Sequence, residues 1–529
     1  MQFRQRPSSF REKHLSCNHY RIIVYKYLSI TFLAVWLMGC SGSSSNSAPS
    51  LVFAEGEVQD FRNFQGFCGS EFDDVQRFYL RALFSGFYFW HEDIVDIDPR
   101  IPVFTDFTDY FYYLVSDEPS PTGSGKLKDR FSFFTSQAVL DDLLESGREI
   151  GYGMRLSFPQ TDFGGSPKVG FVIAGTNADL AGIQRGDTII SADGFTSSSQ
   201  NNFLRRLFPL NTGESVRLEV RSLDNNTRFI TLTSQQFDVP GVSQTKTIAL
   251  SNNRQAGYIQ FNDHTEIAFD QITSAAAELQ ADNIDELILD LRYNSGGFLF
   301  VANRLASMIA PRIKREVDGA FFEKLIVANP NNFLFTSEQI IGFEFGDSSN
   351  PIPELELDRV FVLTGPDTCS ASESIMNALR GIDVEVIQIG GTTCGKPYGF
   401  VGFDNCGLSF LPVLFESLNT MNQGGYSDGF KPANASGFGV SLPGCSVADD
   451  FSNPLGSNDE ALLATALAYI ENGSCPPTLL TTTSQVSRAF FDGTQQQQAT
   501  RAQKLSPVHI RALQGLRMIK PTHTEPLAN

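Results

Sequence analysis

Val362-Leu363-Thr364-Gly365-Pro366-Asp367-Thr368-Cys369-Ser370-Ala371-Ser372-Glu373 reads as the end of a strand, a tight turn and the start of a helix. The apolar run stops at Gly365-Pro366, and Ile375, Met376 and Leu379 then recur at helical spacing. Outward from this unit the pattern repeats. The chain reads as strand Ala256 to Phe261, helix Ile267 to Leu279, strand Glu286 to Leu291, helix Leu299 to Ile309, strand Val360 to Thr364 and strand Val384 to Ile389. Alternating strand and helix periods predict an α/β body.

Upstream the character changes. Between Gly151 and about Val239, short β-rich runs such as Val169 to Ile173 and Val216 to Val220 are separated by Gly, Asn and Asp turns, which predicts a compact β module. Between Cys68 and Phe134 the positions Val75, Phe78, Tyr79, Leu83, Phe84 and Phe87 keep helical spacing, which predicts a small aromatic-rich helical domain whose rings are packed core. At 529 residues the chain is long enough for several domains of roughly 150 residues. The expected division is multi-domain α/β: leader 1–40, tether 41–65, helical domain 66–148, β module 149–240, α/β core 241–475 and tail 476–529. The Thr-, Ser- and Gln-rich tail reads as mostly disordered.

Net charge is -19, with acidic residues spread along the chain, which argues against a nucleic-acid partner. The leader places Arg4, Arg6, Arg11, Lys13, Arg21 and Lys26 before an apolar run from Tyr27 to Met38, too short to anchor stably across a bilayer. It ends in Leu37-Met38-Gly39-Cys40, followed by the polar stretch Ser41 to Ser47. This resembles the lipobox of bacterial lipoproteins, which implies lipidation of Cys40 and attachment to a membrane of the bacterial cell envelope. Ser41 resembles the outer-membrane sorting pattern, facing the periplasm. Cys68, Cys369, Cys394, Cys406, Cys445 and Cys475 remain after the leader, an even number that favours disulfides in an exported chain. Cys445 with Cys475 is the first pairing expected, since the two bracket one helix. Neither a C-x-x-C pair nor nearby histidines point to a metal.

Ser370 at a strand-to-helix turn can project its hydroxyl into a cleft, where the helix N-terminus stabilises developing negative charge. The other reading of the same residues is a helix cap, with Glu373 completing a capping box from Ser370. A second cluster, Gly390-Gly391-Thr392-Thr393-Cys394-Gly395-Lys396, puts a lysine on a glycine-rich loop. A serine hydroxyl needs a base, and a buried lysine can serve. Of the six histidines, His14, His19, His509 and His523 lie in the leader and tail, and neither His91 nor His264 has a recognisable triad context. A Ser370/Lys396 dyad is the better chemistry, and it requires no cofactor.

The motifs around these residues resemble the C-terminal processing (tail-specific) peptidase family. Ser370-Ala371-Ser372-Glu373 resembles its S-A-S-E motif and Thr393-Cys394-Gly395-Lys396 its T-x-G-K motif. Leu289 to Gly297 resembles its L-D-L-R-x-N-x-G-G stretch, and Asp129-Arg130-Phe131-Ser132 its D-R-F-S stretch. The resemblance implies a crotonase/Clp-like core in which Ser370 is the nucleophile and Lys396 the general base. The N–H groups of Ala371 and of Gly296 or Gly297 would hold the oxyanion. Ala178 to Gly194 resembles the signature stretch of PDZ domains in bacterial proteases, so that Gly151, Tyr152, Gly153 and Met154 occupy the place of the carboxylate-binding loop. The implied partners are proteins with free C-terminal tails. Phe400 stands where many members carry a glutamine that orients the base, and Cys369 and Cys394 would tie the two catalytic loops together if bonded. A non-catalytic peptide- or ligand-binding lipoprotein on the same fold is the alternative.

Overall fold

The computed structural model describes residues 49–69, 72–158, 165–329, 336–346, 351–477 and 517–518. Cys40, the lipobox and most of the tail lie outside them. At the centre is a six-stranded sheet in the order Val242–Ala249, Gln255–Phe261, Glu286–Asp290, Arg359–Thr364, Glu385–Gly390, Gly444–Ser446. All neighbours are parallel except the first pair. Successive residues point to opposite faces of a strand. Leu287, Leu289, Val360 and Val362 accordingly pack with residues of the helices Glu266–Ala281, Leu299–Ile309 and Ala371–Arg380. Ile288, Phe361 and Leu363 pack with the helix Ala461–Asn472 on the other face. Burial on both faces makes these strands read as continuous apolar runs.

In a parallel sheet the loops leaving the C-terminal strand ends gather at one edge, the usual place for a site. Three loops do so here: Leu291 to Gly296 after Glu286–Asp290, Gly365 to Ser370 after Arg359–Thr364, and Gly391 to Lys396 after Glu385–Gly390.

The β module has its own core, including Tyr152, Leu156, Val169, Ile189, Phe203 and Leu218. Its five antiparallel strands run Met154–Ser157, Lys168–Val172, Thr188–Ala192, Ser215–Arg221, Thr227–Thr233, and Arg148–Gly151 pairs with Gln235–Asp238 as a two-stranded neck. Arg185 docks it onto the α/β body, donating to Tyr293 Oη at 2.6 Å and to Asp449 Oδ1 at 2.7 Å.

The segment 66–148, expected from sequence as a helical domain, packs onto the α/β body. Its helices Phe72–Phe87 and Phe107–Leu114 share one continuous hydrophobic cluster with the α/β body. Phe87 lies 4.9 Å from Phe403 and Tyr79 lies 5.7 Å from Phe410, ring centre to ring centre. The strand Phe133–Ser136 pairs with Leu408–Leu411, and Cys68 is bonded to Cys406. Two helices of 16 and 8 residues are too small to cover so many aromatic faces by themselves. The expected Cys445–Cys475 bond forms across the helix Ala461–Asn472, and Cys369 is bonded to Cys394.

Candidate active site

Ser370 sits immediately before the helix Ala371–Arg380 at φ 59° and ψ -115°, a strained conformation for a residue with a side chain. It is fully buried, and its Oγ has no hydrogen-bond partner among the described residues. Its N–H donates to Glu373 Oε2 at 2.9 Å. That bond is half of the capping box expected from the sequence, but Glu373 does much more. The same Oε2 accepts the Lys396 N–H at 2.8 Å, while Oε1 accepts Thr393 Oγ1 at 2.5 Å and the Gly395 N–H at 2.9 Å. One buried carboxylate thus gathers the serine turn and the lysine loop, with two backbone amides meeting on a single oxygen. Burial pushes this carboxyl above its ordinary range, opposed by the bonds from Thr393 and the three amides.

The Cys369–Cys394 bond ties the same two loops, with Cα atoms 5.2 Å apart. Arg130 holds the lysine loop from outside, its Nη2 donating to Gly395 O at 3.0 Å and Ser427 O at 2.7 Å. Gly395 has φ +87°, and a Cβ there would lie 2.4 Å from Ser427 O, so only glycine lets the loop pass.

Lys396 is 1% exposed. Its Nζ lies 3.9 Å from the centre of the Phe400 ring and 5.3 Å from that of Phe131. At the position expected for an orienting glutamine the chain therefore presents an aromatic face, which attracts an ammonium through its quadrupole.

The glycine loop is organised by Asn294. Its Oδ1 accepts the Gly296 N–H at 3.0 Å, and its Nδ2 donates to Phe261 O at 3.0 Å. Its main-chain oxygen accepts from Cys369 N at 3.1 Å and Ser372 Oγ at 3.0 Å, which joins the glycine loop to the serine turn. The Gly296 amide is thereby committed to Asn294. Gly297 has φ +136°, and a Cβ there would lie 2.5 Å from His264 O. Ala371 follows Ser370 as the first residue of the helix, where backbone N–H groups lack intrahelical partners.

His264, unassigned from sequence, lies beneath this loop, fully buried, with Nδ1 3.0 Å from Asn294 Oδ1. That oxygen is an acceptor, so Nδ1 carries the proton. Burial lowers the imidazole pKa to about 3, against smaller opposing effects from Asn294 and Gly296. Below the unfolded value of about 6.5 only the unfolded chain takes the proton, so stability is full above that pH and declines by about 1.4 kcal/mol per pH unit as acid is added, down to about pH 3. His264→Asn, which keeps a donor near Nδ1, is expected to remove one proton's worth of this slope between pH 6 and 4 in urea unfolding; an unchanged slope would refute it.

Arg292 anchors the start of the loop from the opposite side. Fully paired in the interior, it donates to Asp290 Oδ2 at 2.9 Å, Glu460 Oε1 at 2.7 Å and Asp449 Oδ1 at 2.9 Å. Asp449 also binds Arg185 of the β module, so one carboxylate touches both parts of the chain.

In the β module, Gly151 ends one strand and Met154 begins the next, with Tyr152 and Gly153 in the turn between. Gly153 has φ +90° and packs on Thr176. These four residues lie at a strand edge remote in sequence from Ser370.

Residues 255–400 match peptidase family S41. The chain is 26% identical over 281 residues to carboxyl-terminal-processing peptidase 2, chloroplastic, of Arabidopsis thaliana, covering 51% of this chain and 50% of that protein. It is 26% identical over 264 residues to the carboxyl-terminal-processing protease of a Picosynechococcus strain, covering 47% and 55%. The chain thus spans about half the length of the relatives it matches. A crystal structure from Bacteroides fragilis assigned as an S41 protease shares the fold at TM-score 0.52 and 23% identity, covering 75% of this chain and 97% of the other. The serine turn, the glycine loop and the lysine loop all fall within the span that matches peptidase family S41.

Proposed function

We propose that the chain is a serine endopeptidase that cleaves exported proteins near their C-termini with a Ser370/Lys396 dyad. The observation that carries this reading is the shared Glu373 carboxylate, which fixes the serine turn against the lysine loop. Neutral Lys396 takes the proton of Ser370 Oγ as it attacks the peptide carbonyl, and the N–H groups of Ala371 and Gly297 receive the oxyanion. The Lys396 ammonium then protonates the leaving amine, and water attacks the acyl-enzyme. The Phe400 and Phe131 rings face the ammonium during this interval.

The β module acts as a PDZ domain, binding the substrate tail as an added strand at Gly151 to Met154. Cys40 carries a lipid that keeps the enzyme on the envelope membrane; the basic leader, apolar run and Leu37-Met38-Gly39-Cys40 support this. The test is turnover of casein by the chain from Ser41 onward. Cleavage is the expected result. A protein that binds peptide tails yet leaves casein intact, and whose Ser370→Ala variant binds equally well, would make it a binding protein instead.

A further inference from the structure

The short strand Gly297–Phe298 has neighbours on two sides. On one side Gly297 bridges His264. On the other it pairs in parallel with Arg517–Met518, in the register Gly297 with Arg517 and Phe298 with Met518. Those two residues also lie against Tyr398–Gly399, the strand that follows Lys396 in the chain. Residues 517–518 therefore lie beside both the strand that ends the glycine loop and the strand that follows Lys396.

A second observation agrees with an occupied site. Ser370 and Ala371 are 0% exposed and Lys396 is 1% exposed. A centre that acts on polypeptides has to present its nucleophile to them, and here the nucleophile is covered. Charge points the same way. Residues 493–524 contain Arg501, Lys504, Arg511, Arg517 and Lys520 but no Asp or Glu, whereas the chain as a whole carries net charge -19. A basic segment is drawn to an acidic body.

We propose that the Gly297–Phe298 edge is a strand-addition site for extended peptides, and that its resident occupant is this chain's own segment around Arg517–Met518, which substrate must displace. The competition with substrate rests on the peptidase reading; the occupancy of the edge does not. Main-chain pairing along two residues is weak on its own, but covalent linkage within one chain holds the segment at an effective concentration on the order of millimolar.

The test uses the full chain with Ser370→Ala, so that nothing is cleaved, and a dye-labelled synthetic peptide of residues Arg511 to Thr524 as probe. In a second form, Arg517→Pro and Met518→Pro are added, which removes two backbone donors from the tail without touching the folded body. The form with prolines is expected to bind the probe at least about tenfold more tightly, since its own segment no longer competes. With Ser370 restored, the same prolines are expected to raise casein turnover by a similar factor. Equal probe binding by the two forms, or none by either, would overturn the proposal. Tighter probe binding with casein untouched in every form would uphold the edge site and refute the peptidase reading.

Discussion

Lys396→Ala is expected to lower casein turnover as far as Ser370→Ala does, by about four orders of magnitude in kcat, with the double variant no worse than either single one. The reasoning is that the two residues act as a unit. Without a base the serine hydroxyl keeps its proton, and without the hydroxyl the amine has nothing to deprotonate. The structure holds them on loops that meet at one carboxylate and one disulfide. Lys396→Arg should fail equally, because a guanidinium stays charged at any working pH and cannot accept the proton. Single-turnover kinetics would check the point: all four variants should lack the acyl-enzyme phase while thermal unfolding shows them folded. Additive losses in the double variant, or retained acylation in Lys396→Ala, would mean that another group is the base.

The serine turn and the lysine loop were legible because local patterns mark them. Strand, turn and helix periods place Ser370, and glycines mark the loop of Lys396. The S-A-S-E and T-x-G-K likenesses name both, and the comparisons support the family. The α/β body was legible for the same reason, down to the helix Leu299–Ile309. What was hidden depends on contacts between distant residues. Arg130 holds the carbonyls of Cys394 and Gly395 from more than 260 positions away, which no spacing reveals. The packing of Phe87 and Tyr79 against Phe403 and Phe410 likewise makes the N-terminal helices part of the main core, although their sequence reads as a separate amphipathic unit. Cys445 and Cys475 bracket one helix and could be paired by eye, whereas Cys68 finds Cys406 only through that packing. Glu373 reads as a cap because its nearest neighbour in sequence is the turn it caps; its other three donors come from the lysine loop.

Glu373→Gln tests whether that carboxylate is structural alone or also sets the dyad. An ionised carboxylate only accepts, which suits four donors: Ser370 N, Lys396 N, Gly395 N and Thr393 Oγ1. A glutamine amide must turn its NH₂ toward one pair of them. On the Oε2 side it would oppose the amides of Ser370 and Lys396. On the Oε1 side it would oppose Gly395, and Thr393 has little freedom to adapt because its Oγ1 also accepts the Phe430 N–H at 2.7 Å. Either choice leaves at least one buried donor unpaired, at a cost of about 1–3 kcal/mol for each. The loops should relax apart, and a shift of about 1 Å between nucleophile and base costs roughly a hundredfold in rate. The expected result is a folded protein of lower stability, with kcat down at least that much and KM nearly unchanged, since the proposed tail-binding edge at Gly151 to Met154 is not among the groups Glu373 holds. A merely structural residue would lower the melting temperature and leave kcat per folded molecule intact. That outcome would remove Glu373 from the positioning of the dyad and leave the disulfide and Arg130 to hold the two loops together.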